Sequence, residues 1–120
     1  KSALDFVDSI GLDNISKYEK KLLDYATSKL CQIPGAQIIG KSPSKTNILT
    51  FVLDGVNSSD LGSIVNQDGI AIRAGHHCTQ PLHRRLGLSV SARASFSIYN
   101  NYEDIDRFIA AIEKARRLLL

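Results

Sequence analysis

Cys78 sits in the run IAIRAGHHCTQPL, residues 70–82, directly after two histidines and three residues before a proline. A thiol beside imidazoles suits three chemistries: a nucleophile, a metal ligand, or an inert packed thiol. Thiolate is the reactive form of cysteine, and nearby cations or helix N-terminal amides favour it. His76, His77 and Arg73 supply cationic or cationisable groups, and Pro81 marks the first turn of a helix. Gly75 frees the backbone to turn just ahead of them. The segment AGHHCTQP offers little apolar cover, which argues against an inert thiol. Cys78 is therefore the candidate nucleophile.

The metal reading is the rival. Consecutive residues in an extended loop point in different directions, whereas zinc sites pair ligands two to four residues apart and add a second pair. Only His83 and the distant Cys31 remain to complete a set. No metal site is assigned on these grounds. His83, between Leu82 and Arg84, is expected to be a solvated surface histidine. Cys31 is expected to pack at the end of a helix. Arg73 and Arg93 are each either surface charge or an anchor for a carboxylate, to which an arginine fork is suited. Lys41 and Lys45 lie in a Ser/Pro loop without a glycine-rich cradle and read as solvated charge.

The elements that must position these residues follow from periodicity. Leu4, Val7 and Ile10 recur at helical spacing, and Gly11 stops that helix. Asp13 or Asn14 is the expected cap of a second helix, whose stripe runs Ile15, Tyr18, Leu22, Tyr25 or Ala26, and Leu30. Pro34 and Gly35 end it. A strand is expected at 36–39, a polar loop at 40–47 and a central strand at 48–53, apolar on both faces apart from Thr50. Ser58 or Ser59 is the expected cap of a helix through about residue 67. A strand at 70–74 leads into the cysteine loop, and a short helix follows from Pro81 to Gly87. A strand at 92–99 alternates Ala92, Ala94, Phe96, Ile98 against Arg93, Ser95, Ser97, Tyr99. Asn101 caps the last helix, with the stripe Ile105, Phe108, Ile109, Ile112 and Leu119. The expected fold is an α/β domain, an α+β sandwich. A mostly antiparallel sheet of about four strands has helices on one face. The other face carries Arg73 and Arg93, so it is either wet or covered from outside the chain.

At 120 residues, residues 1–120 form one domain. The net charge of +3 comes from 15 basic and 12 acidic residues scattered along the chain, which excludes a nucleic-acid footprint. No apolar run is long enough for a membrane span. Two cysteines make no disulfide framework and fit a reducing compartment. The chain holds no methionine and opens on Lys1 inside a helical pattern, so a fragment of a larger chain is expected.

The motif Arg-x-Gly-His-His-Cys, Arg73 to Cys78, resembles the signature of SUF-type (group II) cysteine desulfurases and the related selenocysteine lyases. These are fold-type I, pyridoxal-phosphate-dependent members of the class V aminotransferase superfamily. Arg93, Ala94, Ser95, Tyr99 and Asn100 match a second block, and IGLDNISKYEKKLLDYA resembles the helix that opens the region. Thr79 stands where alanine is common. The resemblance implies the small C-terminal domain of such an enzyme. It implies that Cys78 takes sulfur, or selenium, from a cofactor-held substrate as a persulfide while alanine leaves. It puts Arg93 on the substrate carboxylate, with Arg73, His76 and His77 as supporting candidates that shape the thiolate or contact substrate. The Schiff-base lysine and the pyridoxal 5'-phosphate contacts are expected on a large domain absent here, so no cofactor-binding residue is assigned. The implied parent is a cytoplasmic or organellar homodimer that hands sulfur to a small acceptor protein for iron–sulfur cluster assembly. A free-standing sulfur-carrier module is the alternative function, and a metal-binding module a third.

Overall fold

The computed structural model describes residues 1–120. The elements run α1 (Ser2–Ile10), α2 (Leu12–Leu30), β1 (Ala36–Ile39), β2 (Ile48–Leu53), α3 (Ser58–Gln67), β3 (Arg73–Gly75), α4 (Gln80–Arg85), β4 (Ser91–Ser95) and α5 (Tyr102–Leu119). The four strands form one antiparallel sheet in the order β1-β2-β4-β3. Burial in β2 alternates, with Leu49, Phe51 and Leu53 fully covered and Ile48, Thr50 and Val52 half covered. In β4, Ala92 and Ala94 point the same way as Phe51 and Leu49, with which they are paired. Helices α2, α3 and α5 cover that face. Phe108 of α5 meets Phe51 and Phe96 edge-on, at ring separations of 6.0 and 6.4 Å. The expected α+β sandwich, with helices on one face, is the observed architecture.

The boundaries differ from expectation for identifiable reasons. Of the expected 70–74 strand only Arg73 and Ala74 enter the ladder, joined by Gly75, because β3 is an edge strand paired to β4 alone. Strand β4 ends at Ser95, well short of Tyr99. Beyond it, the Phe96 amide donates to the Asn47 carbonyl, and the Asn47 side-chain amide donates back to the Phe96 carbonyl. The chain then closes a turn in which Asn100 N–H donates to Ser97 O and Ser97 N–H to Asn100 Oδ1. Ile70 and Ile72 pack against the core without joining the sheet.

Capping also shifts. Gly11, with φ of 89°, ends α1 and serves as N-cap of α2, while Asn14 donates back to Ile10 O. Asn57, not a serine, caps α3 by accepting from Ser59 N–H at 2.8 Å. Asn101 forms the expected cap and extends it to a reciprocal capping box with Asp104. Cys31 is exposed, not packed, because the α2 stripe ends at Leu30 and burial resumes only at Ile33. None of the α1 residues is buried; Leu4 is 69% exposed. No helix is long and apolar enough to cross a membrane.

Two substitutions test this packing by urea unfolding. Asn101→Ala removes the capping box and should lower stability by about 1 kcal/mol. Phe51→Ala empties a fully buried site under Phe108 and should cost roughly 3–5 kcal/mol.

Candidate active site

The face of the sheet away from the helices carries Gln37, Ile39, Ile48, Thr50, Val52, Ser91, Arg93, Ser95 and Arg73, by alternation from the buried set. Arg93 is paired across β2 with Thr50 and across β3 with Arg73. Like charges placed directly opposite across strands repel. No strand contributes an acidic residue, and every ion pair of the protein lies on other elements. Arg93 Nε is buried and has no hydrogen-bond partner. A desolvated guanidinium donor left unpaired is costly, and an anion relieves both that cost and the repulsion. The arrangement is chemically able to accept an anion such as a carboxylate.

The cysteine loop begins where β3 ends. Gly75, at φ 133°, pairs with Ser91 and hands the chain to a tight turn over His76–Thr79. The Thr79 amide closes that turn onto His76 O at 2.8 Å, and its hydroxyl donates to the same carbonyl at 2.7 Å. The two central residues, His77 and Cys78, have φ of 51° and 60°. Positive φ at both central positions is the pattern of a type I′ turn, usually filled by glycine and asparagine. A non-glycine residue held there costs roughly 1–3 kcal/mol, and such strain persists only where surrounding contacts enforce it. Here the contacts are those of Ser91, which is fully buried. His77 Nε2 lies 3.1 Å from Ser91 O. A carbonyl only accepts, so Nε2 carries the proton and Nδ1 is an acceptor. That Nδ1 is buried and has no partner. Cys78 is exposed at the tip.

Burial, and next the charge of Arg93, lower the pKa of His77 below its ordinary 6.5; the bond to Ser91 O opposes the shift. Of the two histidines that the sequence offers as cationic groups, His77 thus works as a neutral imidazole at neutral pH. His76 is exposed. The structure brings Cys78, His76, His77 and Arg73 together around the end of β3. It places Arg93 on the adjacent strand, two residues from Ser91.

His83 departs from expectation. It is 5% exposed, its ring lying 5.6 Å from that of His76 and 6.0 Å from that of His77. The short helix α4 has its outer side occupied by Leu82, Arg84 and Arg85, which leaves His83 facing in. Despite three neighbouring imidazoles and a thiol, no three His, Cys, Asp or Glu side chains are arranged to hold a metal ion. Sequence reasoning missed His83, Ser91 and Thr79. The usable signal was the spacing of Thr79 and His83, one turn apart on a helix opened by a proline. Elsewhere, Lys41, Lys45 and Cys31 line a cavity of about 690 Å³ between α2 and the 40–47 loop.

Comparison with known proteins gives concordant results. The family model of class-V aminotransferases matches residues 1–108. A Mycobacterium leprae protein named "Probable cysteine desulfurase 1" is 46% identical over 93% of the chain, and the chain spans 18% of its length. A cysteine desulfurase of Haloferax volcanii is 44% identical over 98% of the chain, which spans 28% of it. The crystal structure of the Escherichia coli cysteine desulfurase CsdA, in an S-sulfonic acid form, superposes with a TM-score of 0.90. It shares 31% identity and covers 98% of this chain, which spans 29% of that one. The chain thus spans well under half the length of each of these relatives.

The His77 imidazole gives a direct test by NMR titration. Its midpoint should fall below 6.5, and Arg93→Gln should raise it by removing the adjacent positive charge. Because the folded pKa is the lower one, His77 contributes its stability fully above about pH 6.5 and loses it as pH falls through the folded value. His77→Asn should therefore reduce the acid sensitivity of the urea midpoint.

Proposed function

The chain belongs to the aminotransferase class-V family, and from that premise we propose that it is the small C-terminal domain of a SUF-type cysteine desulfurase. The observation that carries this reading is the exposed Cys78 in a turn that His77 anchors to Ser91, itself two strand residues from the unpaired Arg93. In this reading Arg93 binds the substrate carboxylate as a fork, with Arg73 adding charge from the next strand. Cys78 Sγ bonds to the substrate sulfur as the carbon–sulfur bond breaks. The electron pair of that bond stays with carbon, which takes up a proton, and alanine leaves. Sulfur remains on Cys78 as a persulfide, the form that a small acceptor protein collects for iron–sulfur cluster assembly. Selenium in the same position makes the parent a selenocysteine lyase.

Enzymes of this family use pyridoxal 5'-phosphate, which supplies an electron sink to the bond being broken. The residues of this chain do not fit the task of holding it. Its lysines lie at Lys1, on α2, in the 40–47 loop and at Lys114 on α5, and none is on the sheet or in the Cys78 turn. The two arginines offer an anion site with no amine beside it to form a Schiff base. We therefore assign the cofactor to another part of the full-length parent, a cytoplasmic or organellar homodimer whose large domain covers the open sheet face. A free-standing sulfur carrier remains the second reading, favoured by the exposure of Cys78.

Three measurements decide between them. In the full-length enzyme, Cys78→Ala should abolish alanine formation from cysteine; retained turnover overturns the nucleophile assignment. Arg93→Gln should raise KM for cysteine roughly 30-fold, the equivalent of about 2 kcal/mol for charge-assisted bonds. The 120-residue chain alone, mixed with pyridoxal 5'-phosphate and cysteine, should form no alanine, while a carrier would still accept a persulfide from a sulfur donor.

A further inference from the structure

The turn that presents Cys78 is not anchored by its own hydrogen bonds. Those of Thr79 to His76 O close it upon itself and leave its placement over the sheet open. Its upstream end is fixed to Ser91 twice, by the Gly75–Ser91 pairing and by the His77 ring. Its downstream end has one long-range tether, the imidazole of His83. His83 Nδ1 lies 3.1 Å from Thr79 O and 3.3 Å from Thr79 Oγ1, and Nε2 lies 2.9 Å from Ser91 Oγ.

The tautomer follows from the partners. The Thr79 hydroxyl hydrogen is committed to His76 O at 2.7 Å, and Thr79 O can only accept. So Nδ1 carries the proton and donates to Thr79 O. Nε2 then accepts from the Ser91 hydroxyl, whose own carbonyl accepts from His77. Ser91 holds both histidines at once, through two different atoms.

We propose that His83 is a positioning residue for the proposed nucleophile. Its imidazole clamps Thr79, the residue after Cys78, to Ser91, and so holds the strained turn in one place against β4. The inference rests on the reading of Cys78 as nucleophile only for its kinetic consequence; the clamp itself is independent of it. A histidine is needed because the two partners demand opposite roles of one side chain: a donor towards the Thr79 carbonyl and an acceptor from the Ser91 hydroxyl. A side chain of similar volume without nitrogen fills the space but frees Ser91 Oγ and leaves Thr79 O only the local helical bond from the residue 83 amide, so the link from Thr79 to β4 is lost.

The test uses the full-length holoenzyme. His83→Leu should lower kcat at least about tenfold with KM for cysteine nearly unchanged, since Arg93 is untouched. Amide exchange at Thr79, read by hydrogen–deuterium exchange, should speed up while β1 and β2 keep their protection. His83→Asn retains a donor near the Nδ1 position and should recover part of both. Should His83→Leu not fold, Ser91→Ala removes the hydroxyl alone and should show the same pattern more weakly. Wild-type kcat and wild-type Thr79 exchange in the folded variant overturn the proposal, as does equal loss in His83→Leu and His83→Asn. If Cys78→Ala proves fully active, the nucleophile reading fails, and the exchange at Thr79 still judges the clamp.

Discussion

Strand β4 is paired on both edges, to β2 and to β3, so its five residues have no freedom to slip. A one-residue shift would exchange its two faces completely. Ala92 and Ala94 lie under the helices, and their small size lets α3 approach the sheet. Ser91 and Arg93 then must face the other way. Everything at the candidate site hangs from those two positions: the turn through Ser91, the unpartnered guanidinium through Arg93. Packing on one side of the strand therefore fixes chemistry on the other.

The balance of forces at the site is uneven. Phe51, Phe96 and Phe108 form a packed edge-to-face cluster, which stabilises the scaffold. On the open face the same scaffold holds two arginines side by side, a buried donor without a partner, and two non-glycine residues at positive φ. Each of these opposes folding. Unsatisfied groups and strained backbone cluster where a protein works on something outside itself. The core on the far side of the sheet carries that cost. Burial of His77 adds one more, keeping its ring neutral beside Arg93 so that Nδ1 stays an acceptor.

The sequence is strongest where a period runs long. The α5 stripe, the cap at Asn101 and the alternation of β4 are all legible from residue types, because one buried face imposes its period on the chain; β2 reads as apolar on both faces, and only the fold shows its burial to alternate. The motif around Cys78 is legible because its polarity is at odds with burial. Boundaries are less so. Nothing local shows that Asn47 brackets Phe96 and ends β4, or that Asn57 outcompetes Ser58 as a cap. Those outcomes depend on partners dozens of residues away, or on which of several adjacent polar side chains reaches an amide first.

What the sequence alone determined is the class of fold, the two faces of the strand around Arg93, and the thiol that is the candidate nucleophile. Periodicity and side-chain chemistry suffice for these. Tertiary structure decided how the thiol is held. His83 reads as a surface residue because its neighbours on a short helix are two arginines and a leucine, yet α4 is rotated to turn it inward. Ser91 reads as a residue just ahead of a strand, yet it opens β4, and its carbonyl and hydroxyl each take a histidine. Hydrogen bonds between residues 4 to 14 positions apart need a folded backbone to bring donor and acceptor within 3 Å or so. No pattern of residue types encodes that distance.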